Sequence, residues 1–172
     1  MYFFFFFANN LSFSVWDWKT GTPLSVIDNH NPAHSRISDM KFINEEDEAL
    51  LLTGSDDGVV RLYKNYDGSD QEQAVLVSSW RALKDMEKSN SRQSGLVSDW
   101  HQARGLLFTG GDARIIKVWD VHQEMPVMDI PTQSLGCVTS ITSDQVNGNI
   151  IIAGFGDGSI GVYDRRLSPE EA

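Results

Sequence analysis

Apolar and polar positions alternate with period two in four short stretches of the chain, and each stretch runs into an aromatic residue. The aromatics are Trp16, Tyr63, Trp119 and Tyr163. Three positions before the last three stand Val60, Ile116 and Ile160, and one position before stand Leu62, Val118 and Val162. Phe13 and Val15 occupy the same places in the first stretch. A period of two puts these aliphatics on one face of a strand and the aromatic on the other. Ten residues before the last three aromatics stand Thr53, Thr109 and Ala153, each followed by a glycine (Gly54, Gly110, Gly154). Between glycine and strand lie "SDDG" (55–58), "GGDA" (110–113) and "GDG" (156–158). Gly and Asp tolerate positive φ, and Asp also accepts local backbone N–H bonds, so each stretch reads as the second arm of a tight hairpin.

Two further strands per unit fall into register. "ISDM" (37–40), "VSDW" (97–100) and "VTSI" (138–141) precede their aromatics by 26, 22 and 25 residues. Pro23 and Pro126 each follow a Trp by seven residues; a residue without an N–H belongs on an edge strand. The aromatics are 47, 56 and 44 residues apart, close to the period of about 40–45 that four-stranded propeller blades give. Neither strand face is purely polar, as expected where blades cover one another. The expectation is an all-β chain, a partial β-propeller of about four blades. The longest interval comes from residues 83–95, rich in Lys, Ser and Asn. They read as a solvated insertion, open between a binding loop and a spacer.

A length of 172 residues, with 41% apolar and 22% charged content, suits one globular domain. The net charge of −10 and pI near 4.7 oppose phosphate backbones and anionic membranes, and the longest basic run is Arg165-Arg166. Nucleic acid is therefore not an expected partner. The opening "MYFFFFFA" is far short of the roughly 20 residues of a membrane span, and it lacks the basic region and cleavage site of a secretory signal. It is either a buried strand or a non-native start. The aggregation hazard of a terminal Phe run favours the second, so residues 1–9 are set apart as a divergent segment and the propeller is placed at 10–172. Membrane insertion is not expected. Cys137, the single cysteine, reads as a small buried residue.

Candidate chemistry is sparse. His30 and His34 are four apart, but Pro32 stands between them, and His101 and His122 have no ligand set nearby. No phosphate loop, nucleophile elbow or paired zinc-binding histidines are present. Asp56-Asp57 and Glu45-Glu46-Asp47 read as solvated turn acids. No catalytic, cofactor-binding or metal residue is assigned, although an enzyme assembled from separated propeller loops leaves no local signature.

"VWDW" (15–18) and "IIKVWDV" (115–121) resemble the strand ends of WD40 repeats. More narrowly, "LLLTGSDDGVVRLYKNY" (50–66), "GLVSDWHQARGLLFTGGDARIIKVWDVHQEMPVMDIPT" (95–132), "CVTSI" (137–141) and "AGFGDGSIGVYDRRLSP" (153–169) together resemble the C-terminal WD40 region of the Raptor family of TOR-associated scaffolds, in its fungal form. The resemblance covers the chain from about residue 10. It implies a seven-bladed propeller whose other blades come from a longer chain. It also implies a non-catalytic scaffold of TOR complex 1 that contacts the TOR kinase and its substrates or regulators in nutrient-dependent growth control. No cofactor is implied. The expected location is the cytoplasm, peripheral at the vacuole or lysosome. The WD40 structural positions would be Trp16, Asp17, Asp57, Tyr63, Trp119, Asp120, Asp157, Tyr163 and Asp164. Departures from the repeat pattern are Ala113 in place of the turn Asp (with Asp112 displaced by one), Tyr63 and Tyr163 in place of Trp, Lys64 in place of the following Asp, and a missing Gly-His pair. A WD40 adaptor of another multiprotein complex is the alternative. Missing blades would leave sheet edges and apolar faces open, so these residues alone are expected to fold poorly, oligomerise or aggregate.

Overall fold

A computed structural model of the chain describes residues 4–8, 12–28, 30, 35–44, 48–68, 73–84, 86 and 94–167, and of 4–8 the backbone alone. Among them the regular structure is fourteen strands and one short 3-10 turn at Gln102–Arg104. The strands make four antiparallel sheets. Blade 1 holds β1 (Phe4–Ala8), β2 (Ser12–Asp17) and β3 (Thr22–Asp28). Blade 2 holds β4 (Ile37–Ile43), β5 (Leu50–Ser55), β6 (Val59–Lys64) and β7 (Val75–Arg81). Blade 3 holds β8 (Leu96–His101), β9 (Leu106–Gly111), β10 (Ala113–Asp120) and β11 (Met125–Pro131). Blade 4 holds β12 (Val138–Ser143), β13 (Ile150–Phe155) and β14 (Ile160–Asp164). Each sheet is a meander, and the first strands of blades 2, 3 and 4 neighbour one another. This is a partial WD40-type propeller.

The hairpin chemistry is what closes each blade. Gly58 (φ 79) and Gly158 (φ 87) take the left-handed position of their turns. Their N–H groups donate to the carbonyls of Ser55 (2.9 Å) and Phe155 (3.0 Å), a geometry that L-residues with a Cβ reach only at a cost. Farther along, the outer pairings slip by one residue at the aromatic. The shifts fall at Val15/Trp16, Leu62/Tyr63 and Val118/Trp119. The slip sets Trp16 opposite Pro23 and Trp119 opposite Pro126, and it leaves Leu24, Val77 and Val127 as bulged residues on the outer strands. Bulges twist an edge away from further pairing.

The core is split among the joints between blades. Phe13, Val15 and Ile27 of blade 1 pack with Leu51 and Tyr63 of blade 2. Leu52, Val60 and Leu62 of blade 2 pack with Leu96, Leu107 and Trp119 of blade 3. Phe108, Ile116 and Val118 of blade 3 pack with Val138, Ile151 and Tyr163 of blade 4. The aliphatic face of one blade thus meets the aromatic face of the next at all three joints.

Three sequence expectations change. Of the two readings of the Phe run, the backbone takes the strand: Phe4–Ala8 pairs along β2 from Phe4↔Asp17 to Ala8↔Phe13, because a short extended apolar run next to a strand completes its ladder. The insertion begins later than residue 83. Leu83 is buried and its N–H donates to the Gly58 carbonyl at 3.0 Å, so a turn acceptor ties it down; Asp85 and residues 87–93 lie outside the described residues. Cys137 is half-buried rather than buried, because it leads into β12 with its carbonyl accepting the Gly156 N–H at 2.9 Å.

Candidate functional site

Tyr63, Trp119 and Tyr163 occupy one position of the third strand in their blades, on the face turned toward the preceding blade, and Trp16 holds the matching position on β2, the second described strand of blade 1. Tyr63 stands edge-on to Phe13 with ring centroids 5.2 Å apart, and its hydroxyl shares a hydrogen bond with Nδ1 of His30 at 3.3 Å. Trp119 lies 6.1 Å from Trp80 of blade 2. Tyr163 is buried in the joint between blades 3 and 4. Trp16 has no described blade before it; it is half-buried, and its indole N–H donates to the Ser14 hydroxyl at 2.7 Å. Burial pushes the phenols of Tyr63 and Tyr163 up, and at Tyr63 the Arg61 charge works against that. A hydroxyl kept neutral among apolar side chains is a packing group.

The aspartate after the aromatic does a second job. Asp17 accepts the Lys19 N–H (2.8 Å), Asp120 the Gln123 N–H (3.0 Å) and Asp164 the Arg166 N–H (3.0 Å). Each caps the turn that follows its strand. The Lys19 N–H holds Asp17 below the usual carboxylate range, and the Arg166 guanidinium takes Asp164 down to about 2. In blade 2 Lys64 stands there, and the outer strand begins only at Val75.

The hairpin aspartates divide into two kinds. Asp57 accepts the Val59 N–H (3.1 Å) and the Ser55 hydroxyl (2.5 Å), with Arg61 at 3.4 Å. Asp157 does the same with the N–H (2.9 Å) and hydroxyl (2.6 Å) of Ser159, which lower its pKa. Asp112 is not a displaced copy of these. Its carboxylate accepts the N–H groups of Ser94 (3.0 Å) and Gly95 (2.9 Å), where the chain enters blade 3. Its counterpart is Asp56, which holds the Ser35 hydroxyl, the Arg36 N–H and the Arg36 guanidinium at the entry to blade 2. Asp56 is therefore engaged rather than solvated, and Glu45-Glu46-Asp47 lie outside the described residues.

The residues that sequence reasoning missed are on the inner strands. Asp39 of β4 accepts both the N–H (2.7 Å) and the hydroxyl (2.5 Å) of Ser98 on β8. Asp99 of β8 does the same to Ser143 of β12, at 2.8 and 2.5 Å. Asn44 and Gln102 exchange two hydrogen bonds across the same joint as Asp39, at 3.0 and 3.1 Å. The repeated "SD" of "ISDM" and "VSDW" was the available signal. His101 is fully buried beside these joints, with neither ring nitrogen bonded among the described residues.

Among the described residues, every carboxylate with a shifted pKa is lowered, by N–H, hydroxyl or guanidinium donors in a turn. A general acid needs the opposite shift. Among the described residues no group of three His, Cys, Asp or Glu could hold a metal, and no helix is long and apolar enough to cross a membrane. His34 lies outside the described residues, and His30 pairs with Tyr63. Arg166 is ion-paired to Asp164 at 2.5 Å, and Arg165 reaches Asn149. A groove of about 410 Å³ opens along β14, lined by Gln133, Ser134, Phe155, Ser159 and the strand itself. It carries no charged side chain. The described surface offers outer strands with exposed Val75, Val77, Met125 and Val127, and a blade 4 with exposed Ile152, Ile160 and Val162.

Comparison with known proteins places these features. The family described as "WD domain, G-beta repeat" matches residues 21–64, which run from the outer strand of blade 1 through the third strand of blade 2. The chain is 47% identical over 159 residues to "Target of rapamycin complex 1 subunit KOG1" of Saccharomyces cerevisiae, covering 92% of this chain and 10% of that protein. It is 40% identical to "Target of rapamycin complex 1 subunit mip1" of Schizosaccharomyces pombe, covering 92% and 12%. The crystal structure of Chaetomium thermophilum Raptor superimposes with a TM-score of 0.83 at 48% identity, over 96% of this chain and 14% of that one. The chain spans about a tenth of the length of these curated relatives.

Proposed function

Because this chain belongs to the Raptor family over the segment it spans, we propose that it serves as a propeller platform within a TOR complex 1 subunit. Its role there is scaffolding, without catalysis of its own. The observation that carries this reading is identity of 47% to a TOR complex 1 subunit along 92% of the chain. The joints explain why such a segment suits the role. Aromatic-on-aliphatic packing and the Asp–Ser links hold successive blades in one arrangement, and loops on a rigid body present partner contacts at little entropic cost. The partners in this reading are the TOR kinase and its substrates or regulators, met in the cytoplasm at the vacuolar or lysosomal surface.

A chimera tests it. Residues 12–167 of this chain replace the aligned segment in the Saccharomyces subunit, and the tagged chimera is captured from cells lacking the native copy. Recovery of the TOR kinase with the chimera at the native level is the expected result. A chimera that accumulates normally but brings down no kinase would sink the proposal. Imaging the same chimera reads out its location.

A further inference from the structure

The outer strands β3, β7 and β11 are each seven residues long and slip at the same bulge, so they compare position by position. Opposite the aromatic stand Pro23, Leu76 and Pro126. At the far end, opposite Ser12, Val59 and Ile115, stand Asp28, Arg81 and Pro131. Prolines and charged side chains are the usual means of closing a sheet edge to further strands. Blade 1 has a proline and an acid, and blade 3 has a proline at both places. In blade 2 the strand reads "VLVSSWR": it has no proline, and its one charge is a cation. Val75 and Val77 on it are 46% and 43% exposed.

The prolines of blades 1 and 3 also show which way the β7 amides point. Proline gives no N–H to the neighbouring strand, so its register place is one whose N–H faces away from that strand. Leu76 and Arg81 hold those places in β7, and the period of two adds Ser79. Among the described residues β7 is an edge strand, and no backbone group outside its ladder with β6 bonds to these amides. From Ser78 to Arg81 the register with β6 is unbroken, so the bulge at Val77 leaves this end of the edge straight. Arg81 is exposed and meets no acid among the described residues, on a chain whose net charge is −10.

We infer that β7 is a docking edge, and that an extended acidic segment of a partner protein adds to blade 2 there as a further antiparallel strand. Strand addition takes its affinity from main-chain hydrogen bonds and its selectivity from alternate side chains. The outward N–H groups of Leu76, Ser79 and Arg81 supply the bonds. Val75 and Val77 favour apolar residues at one end of the incoming strand, and Arg81 favours a carboxylate at the other. Antiparallel pairing, the sense of all the described ladders of blade 2, puts that carboxylate at the N-terminal end of the incoming strand. The Arg81 charge turns away basic and wholly apolar strands, so the edge is selective without a proline.

The test uses the full-length polypeptide that carries these residues and the labelled peptide Glu-Thr-Thr-Thr-Val-Thr-Val, followed by fluorescence anisotropy and by hydrogen exchange. The peptide should bind and should slow exchange at Leu76, Ser79 and Arg81. Leu76→Pro installs the residue that blades 1 and 3 carry at that place. It should weaken binding by roughly tenfold or more, through one lost main-chain bond and a steric block. Arg81→Glu should weaken it by roughly tenfold as well, and this variant should prefer a peptide with Lys in place of Glu, a reversal that misfolding does not produce. Three results would each overturn the inference. One is a wild type that binds neither peptide. Another is β7 amides already protected in the free polypeptide, because another segment of it covers the edge. The third is a pair of variants that bind as wild type does, without the reversal.

Discussion

Replacing Asp39 by alanine is the most informative single change, because one carboxylate oxygen spans two blades. That oxygen accepts the Ser98 N–H at 2.7 Å and the Ser98 hydroxyl at 2.5 Å, and Ser98 is 3% exposed. Without the carboxylate, a buried backbone N–H and a buried hydroxyl lose their acceptor together. An orphaned buried donor costs about 1–3 kcal/mol, and hydrogen bonds to charged groups sit at the upper end. The weak contact of Asp39 with Lys41 at 3.4 Å is part-exposed and adds little. Asp39→Ala should therefore cost about 2–4 kcal/mol. Ser98→Ala keeps the N–H bond and removes only the hydroxyl, so it should cost about 1 kcal/mol. The two changes share a partner, and their double-mutant cycle should show coupling of about 0.5–3 kcal/mol. Urea unfolding followed by tryptophan fluorescence, at fixed protein concentration, measures all three variants. If Asp39→Ala falls within about 0.5 kcal/mol of wild type, or if the cycle shows no coupling, the inner-strand link does not hold the joint and packing alone does.

Other consequences are open to measurement. Gly111 has φ 150, and a Cβ there would sit 2.1 Å from the Gly95 carbonyl oxygen, whereas Gly21 (φ 65) has nothing within 4 Å. Gly111→Ala should thus cost several-fold more stability than Gly21→Ala, which bears only the left-handed penalty of about 1–2 kcal/mol; equal midpoints in urea would contradict this. Phe108→Ala should cost about 3–5 kcal/mol, but Ile152→Ala, the same register position on the open blade, should cost under about 1.5 kcal/mol in the unassociated chain, as differential scanning calorimetry can show. The Asp164 carboxyl, at about 2 in the folded chain against 3.8 unfolded, stabilises its turn fully above pH 4. That stabilisation is lost as pH falls toward 2. Carbon-detected NMR titration should find the low value, and Arg166→Gln should move it back up; a value unmoved by that change would mean the guanidinium is not its cause.

Most of the strand layout was legible before any coordinates because it rests on local rules. Period-two alternation identified β6, β10 and β14, glycine and aspartate identified the hairpins, and Pro23 and Pro126 identified outer edges. Each of these signals lies within about a dozen residues. The Phe run stayed open between a strand and a non-native start because its role as β1 depends on a partner strand and on nothing in its own composition. Asp112 was misread for a similar reason: it sits one place from the turn position, and only the neighbouring chain entry at Ser94 and Gly95 shows what it binds.

The sequence by itself determined the blade, since side-chain alternation, turn chemistry and an aromatic at a fixed place follow from backbone geometry within one unit. Tertiary structure decided what lies between blades. Asp39 and Ser98 are 59 residues apart, Asp99 and Ser143 are 44, and although the repeat sets their strands in matching places, no local rule pairs one with the other. Their pairing depends on how far one sheet is turned from the next, which is set by side-chain volumes across the joint. The same holds for exposure: Val118 and Val162 are alike in sequence position and opposite in burial, because among the described residues only Val118 has a blade in front of it.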